Sequence, residues 1–255
     1  MDHLVRNIKL LIAYDGTEFS GWQRQKHCRT IQGEIEACIN KITQEKISLH
    51  GAGRTDAGVH AEEMIAHFKT SRAIPAEDFS RSLNSMLPGA IRILAASKVD
   101  DNFHARYSAV GKQYRYTIFT GKIQPPSRRL YSLHVRDDLN LLTVRKCLQQ
   151  LEGTHDFSSF ENSGSRNRED TSGRGAVRTI FQASLSRTDN DLLMFDFTGD
   201  GFLRNMVRNM VGSLLDSGRE RLSPDTLGKI LRSKDRTLAS PTAPPHGLSL
   251  IKVLY

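Results

Sequence analysis

Asp56 stands in G-A-G-R-T-D-A-G-V-H-A, residues 51–61, with Arg54 two places before it and mostly small residues around it. A carboxylate so placed has little to do for folding. Gly51, Gly53 and Gly58 are expected to supply positive φ and to let a ligand approach the main chain. Arg54 carries a planar guanidinium that can hold a carboxylate ionised or grip a phosphate. The competing reading is a polar turn in which Asp56 hydrogen-bonds its own backbone. His60, His67 and His104 invite a zinc reading, but they lack ligand spacing and cysteine companions, so no metal is expected. Asp15, Asp56 and Asp200 could in principle serve a metal-dependent phosphodiesterase. Asp15 and Asp200 each precede glycine, however, which suits turns better than ligands.

The charge balance narrows the partners. The chain has 255 residues, with 36 Lys and Arg against 28 Asp and Glu, a formal charge of +8. Most of the cations are arginine, whose bidentate geometry suits phosphate, so a nucleic-acid partner is expected. With 38% hydrophobic and 25% charged residues the composition is that of an ordinary globular protein with a real core. Cys28, Cys38 and Cys147 form no C-x-x-C pair, which argues against a disulfide framework or a cysteine-rich zinc site. Neither a signal peptide nor an apolar run of bilayer length is read, so no membrane association and a cytoplasmic location are expected.

The elements that must position Asp56 follow from periodicity. Arg6–Tyr14 alternates as a strand, and Thr30 caps a helix whose stripe is Ile31, Ile35, Cys38, Ile39 and Ile42. A strand over Ile47–His50 delivers the chain into the glycine-rich segment, and Met64–Thr70 is the next. A helix opening at Pro75 buries Phe79, Leu83, Met86 and Leu87, and Ile91–Val99 is the fourth strand. The order is β-α-β-β-α-β, the ferredoxin-like arrangement.

The second half is read as a repeat: strand Gln113–Phe119, helix Leu141–Leu151, and a hairpin of Val177–Arg187 and Leu192–Thr198 around 188–191. An apolar helix follows over Phe202–Leu215, then a helix from Pro224 and a closing strand Leu248–Leu254. The arginine- and glycine-rich stretch 161–175 reads as a mobile exposed loop, a plain connector or a basic arm for RNA. The expected fold class is α+β: two tandem ferredoxin-like units, residues 1–105 and 106–255, with sheets joined side by side around a central catalytic cleft. Such interfaces often take ligands.

Four stretches carry a resemblance. G-R-T-D-A-G-V-H, Y-D-G-T-E-F-S-G-W-Q-R-Q (14–25), F-H-A-R-Y-S-A-V-G-K-Q-Y-R-Y (103–116) and F-L-R-N-M-V-R-N-M-V-G (202–212) occur in order, with a closing A-P-P-H-G-L-S-L. Together they resemble the tRNA pseudouridine synthase A family. The resemblance implies isomerisation of uridine to pseudouridine at roughly positions 38–40 of the tRNA anticodon arm, where shape and phosphates are read more than base sequence. It implies no cofactor, and a homodimer. By resemblance Asp56 is the nucleophile, attacking either the ribose C1′ or the uracil C6, and Arg208 is its ion-pair partner. Tyr114 packs on the target base, with Tyr116 left for packing. Arg54 occupies the space that a flipped uridine vacates, and Arg24 and Lys112 contact phosphates. A non-enzymatic pair of RNA-recognition modules is the rival reading, but Q-Y-R-Y-T-I-F lacks the glycines of their signature strand.

Overall fold

The computed structural model describes residues 5–162, 174–188 and 191–255. Most of the 161–175 arm and the centre of the 188–191 turn therefore lie outside the described residues. The described chain is mixed α/β with five α-helices. It divides into two compact units, residues 5–110 with 249–255, and residues 111–248.

In the first unit, strand β1 (Arg6–Tyr14) places Ile8, Leu10 and Ile12 on one face, all fully buried. Helix α1 (Ile31–Thr43) starts where the Thr30 hydroxyl accepts the Gly33 N–H, and it buries Ile31, Ile35 and Ile39 completely. Strand β2 is only His50–Gly51. The residues before it were expected to extend it, but side chains of α1 take their N–H groups instead. Asn40 Oδ1 accepts from Ile47, and Glu36 Oε1 accepts from Leu49. Strand β3 (His60–Thr70) begins earlier than its alternation suggests and runs antiparallel to β1, with Ile8 opposite Phe68 and Leu10 opposite Ala66. Helix α2 (Ala76–Met86) buries Phe79 and Leu83, while Met86 is exposed rather than inward. Strand β4 (Ile91–Val99) pairs antiparallel with the other edge of β1.

The second unit holds strand β5 (Gly111–Phe119), a short strand β6 (Leu133–His134), helix α3 (Leu141–Leu151) and strand β7 (Gly153–Asp156). Strands β8 (Val177–Arg187) and β9 (Leu192–Gly199) and helices α4 (Met206–Gly218) and α5 (Pro224–Ser233) complete it. Strands β5, β9, β8 and β7 pair antiparallel in that order. Neither β6 nor β7 was expected. The residues of β7, G-T-H-D, hold no apolar alternation, and the strand exists because Gly153–Asp156 pairs with Val177–Ile180. Helix α4 starts four residues later than its apolar run, because Asn205 is left-handed (φ 60°) and breaks the helical path.

The final strand β10 (Leu248–Leu254) differs most from expectation. A second domain over 106–255 would include it, whereas residues 249–255 group with the first unit. Ser249 and Leu250 pair in parallel with His60 and Ala61 of β3. Leu254 O accepts the Val110 N–H, and the Tyr255 hydroxyl donates to Ala105 O at 2.6 Å.

On the sheet face opposite Ile8 and Phe68, Lys9 of β1, His67 of β3 and His50 of β2 form one cross-strand row. The segment 103–107 lies on this row. His67 Nδ1 accepts the Ala105 N–H at 3.1 Å, and its ring stands 6.0 Å from Phe103 and 4.6 Å from His104. Burial first, and then the charges of His104, His50 and Lys69, push His67 from 6.5 down to about 4. Its folded-state value is thus below its unfolded value. Stability is fully present above pH 6.5 and is lost as pH falls from 6.5 toward about 4, because the unfolded chain takes up the proton first. The expected loss is about 2–3 kcal/mol. Urea midpoints measured across that interval should fall with pH in wild-type protein and less steeply in His67→Gln; parallel curves for the two would refute it.

Candidate active site

Asp56 lies on the segment between β2 and β3, and neighbouring backbone fixes its course. Trp22 N–H donates to Thr55 O at 3.1 Å, Ala52 N–H to Ile65 O at 2.8 Å, and Val59 N–H to Asp56 O at 3.2 Å. The hydroxyls of Tyr14 and Thr55 share a buried hydrogen bond of 2.8 Å. Asp56 itself is half-buried.

Two glycines outside the Asp56 motif make this approach possible. Gly21 has φ +88°, and a Cβ there would sit 2.6 Å from Thr55 O and 3.1 Å from both Ala57 N and Asp56 C. At Gly16 a Cβ would fall 2.0 Å from Val59 O. Of the three glycines near Asp56 that were expected to supply positive φ, only Gly58 does, at +77°. Gly51 serves differently: a Cβ would lie 2.7 Å from the indole of Trp22, which is buried. The tether from 14–22 to the Asp56 segment was missed in the sequence, although D-G and S-G at 15–16 and 20–21 mark it.

Of the cations expected on this unit, Arg54 is exposed and makes no ion pair with Asp56 among the described residues. Arg24 has a structural partner. Its Nη1 lies 2.8 Å from Glu36 Oε2, and the side chains are 62% and 4% exposed. Glu36 also accepts from Leu49 N–H and Gln32 Nε2, so Arg24 completes the partners of a buried carboxylate. The rest of its guanidinium faces solvent.

The second unit carries Lys112, Tyr114 and Arg208. Tyr114 on β5 is buried opposite Phe197, and its ring meets Phe202 edge to face at 5.0 Å. Phe202 is absent from the site residues that the sequence nominates; its signal is an aromatic just ahead of the helix in F-L-R-N-M-V-R. Tyr116 is fully buried and donates its hydroxyl to Pro244 O at 2.8 Å. Burial pushes its phenol well up, with the charge of Arg208 opposing. Arg208 of α4 is held firmly: Nε donates to Ala243 O at 2.7 Å and Nη1 to Asn205 Oδ1 at 2.9 Å. Lys112, half-buried, sits opposite Gly199 near the start of β5.

The remaining acids occupy turn positions. Asp15 Oδ1 accepts from the Thr17 N–H and hydroxyl, and Asp200 takes Arg174 and the Thr179 N–H. Among the described residues no group of three or more His, Cys, Asp or Glu is arranged to hold a metal ion. Nor is any described helix long and apolar enough to cross a membrane.

Comparison with known proteins follows the same lines. A family described as tRNA pseudouridine synthase matches residues 10–108 and 147–255. The chain is 56% identical to tRNA pseudouridine synthase A 1 of Desulfotalea psychrophila, across 98% of this chain and 100% of that protein. It is 43% identical to tRNA pseudouridine synthase A of a Thermoanaerobacter species and 41% identical to that of Geobacter sulfurreducens, with the same coverage. A chain from a solved Cbf5–Nop10–Gar1 complex aligns with 95% of this chain and 57% of its own length, at 12% identity and a TM-score of 0.34.

Proposed function

The chain belongs to the tRNA pseudouridine synthase family, and from that membership we infer that Asp56 is the nucleophile with which it isomerises uridine to pseudouridine in the tRNA anticodon arm. The N1–C1′ glycosidic bond breaks, the uracil turns, and a C5–C1′ bond forms. C5 loses a proton and N1 gains one, so product and substrate are isomers and no electrons are exchanged. Attack by the carboxylate at C1′ or at C6 each requires it ionised, which a reference carboxylate is at neutral pH.

The observation that supports this reading is the fixed course of the segment carrying Asp56. Its backbone is held by Trp22 N–H, by the Tyr14–Thr55 bond and by the close passage of Gly16 and Gly21. A nucleophile must be aimed before its substrate arrives, and a tethered backbone does this at no cost during the reaction. In the same proposal Arg208 is the ion-pair partner of Asp56. Its anchoring by Ala243 O and Asn205 Oδ1 suits a group that must not reorient. Tyr114 packs on the uracil, where a buried ring braced by Phe202 suits stacking worth about 1–3 kcal/mol.

Arg54, exposed and without an acidic partner among the described residues, takes the place of the flipped base, and Lys112 and Arg24 contact phosphates, Arg24 with the donors not spent on Glu36. The targets are the uridines at roughly positions 38–40, recognised through shape and backbone. The enzyme acts in the cytoplasm as a homodimer without a cofactor. Two ferredoxin-like units are part of the proposal. The β-α-β-β-α-β order of residues 6–99 supports the first, and the antiparallel sheet of β5, β9 and β8 with α3 and α4 supports the second.

One assay tests the reaction and its target together. The protein is incubated with an unmodified tRNA transcript and a chelator, and pseudouridines are mapped by carbodiimide adduct and primer extension. The expected result is a stop in the anticodon arm. Transcript that is bound but remains free of pseudouridine would overturn the assignment.

A further inference from the structure

Tyr107 is left standing in solvent in the first unit, 77% exposed, while its neighbour Ala105 is fully buried. The ring is nevertheless held. It lies 4.3 Å from the His104 ring at an interplanar angle of 33°. His104 is itself pinned, because its Nδ1 accepts the backbone N–H groups of Arg106 and Tyr107 at 3.1 and 3.3 Å. Behind it stand His67 at 4.6 Å and His50 at 5.6 Å. The exposed Arg106 guanidinium lies 5.8 Å from the centre of the Tyr107 ring.

A ring so exposed contributes little burial to folding. Its fixed orientation therefore has another use. A braced aromatic with an arginine beside it is what a nucleotide strand requires: the base stacks on the ring and the phosphate meets the guanidinium. Local charge agrees with an anionic strand. Lys9 reaches over Phe103 of the same segment, and Lys69 acts on the histidine cluster. The nearby acids precede the platform, and Asp100 Oδ1 is already engaged by the Asn102 N–H.

We propose that Tyr107 and Arg106 form an RNA contact additional to those made with the reacting uridine. An unpaired base of the substrate RNA stacks on Tyr107, and an adjacent phosphate is held by Arg106. The inference rests on the reading of the chain as an RNA-modifying enzyme, but it adds a positioning contact that the isomerisation chemistry does not itself use.

Equilibrium binding of a fluorescent RNA hairpin with an anticodon-arm sequence tests it. Tyr107→Ala should weaken binding about tenfold, whereas Tyr107→Phe, which keeps the ring, should stay within about twofold of wild type. Arg106→Gln should flatten the dependence of log K on log salt by about one phosphate contact. A hairpin carrying 4-thiouridine in its loop should photo-crosslink to the peptide that contains Tyr107.

A wild-type Kd in Tyr107→Ala, or equal weakening in Tyr107→Ala and Tyr107→Phe, overturns the proposal. So does a Tyr107→Ala protein whose sedimentation changes while its RNA affinity does not, since the ring would then serve an interface between copies. Wild-type protein that binds the hairpin but makes no pseudouridine defeats the enzymatic reading alone. Normal turnover with an unaffected Tyr107→Ala Kd defeats the platform alone.

Discussion

Asp56→Ala protein should bind tRNA with a Kd within a few-fold of wild type and form no pseudouridine. The fall in turnover should be about 10⁴-fold or more, the scale on which removal of a nucleophile acts in covalent mechanisms. Asp56→Asn should fail as badly, because it keeps the shape of the side chain and loses only the charge. Asp56→Glu retains the charge but moves it by one methylene, and a displacement of about 1 Å costs about 10²-fold. That ordering, Ala and Asn below Glu and Glu below wild type, separates a reacting carboxylate from a hydrogen-bonding one. Asp56 is only half-buried, so all three proteins should melt near wild type. Single-turnover assays on a purified transcript, with filter binding in parallel, give both quantities. Turnover by Asp56→Ala within about 10²-fold of wild type would remove Asp56 from its role, whatever the family resemblance.

Gly21→Ala carries the second large effect, although residue 21 bears no chemistry. Its backbone has φ +88°, a conformation L side chains rarely adopt, and the added Cβ would lie 2.6 Å from Thr55 O. That atom and the next two, Ala57 N and Asp56 C, are all backbone, so the segment bearing Asp56 must move. Positive φ alone costs about 1–3 kcal/mol at a residue with a Cβ. The shift of the nucleophile should lower kcat by about 10²-fold while RNA binding is retained. Gly16→Ala, with its Cβ only 2.0 Å from Val59 O, should behave at least as severely. Gly89→Ala is the control: its Cβ would meet only the tip of Arg92 at 3.8 Å, and both stability and turnover should stay unchanged. Wild-type kcat in Gly21→Ala would show that the Asp56 segment is not held by residue 21.

Much of the fold was legible because it depends on local periodicity. Strand β1, helix α1 with its Thr30 cap, β4, α3 and the β8–β9 hairpin arms lie where alternation and helical stripes place them. The misreadings share one cause. Strand β2 shrank because Glu36 and Asn40, side chains of a helix, captured the N–H groups that a ladder would have used. Strand β7 exists only by pairing, and β10 left its expected domain to lie beside His60 and Ala61. Hydrogen-bonding partners decided all three, Glu36 and Asn40 for β2, Val177–Ile180 for β7 and His60 and Ala61 for β10, and apolar periodicity does not register such partners.

Within the candidate site the division is similar. Residue types and motif order named Asp56, Tyr114, Arg208, Arg54, Arg24 and Lys112, and with them the family, because reactivity belongs to functional groups that can be read letter by letter. The tertiary structure alone decided that Gly21 passes close to the backbone of Thr55, Asp56 and Ala57, and Gly16 close to that of Val59. It alone showed that Arg24 already serves Glu36, that Phe202 braces Tyr114, and that Tyr107 is held out in water. Tyr107 is braced by His104 within its own segment, while Gly21 against Thr55 and Phe202 against Tyr114 join segments far apart along the chain. Such contacts are set by how the whole molecule buries its apolar faces and satisfies its buried polar groups, a condition no short stretch of residues can impose by itself.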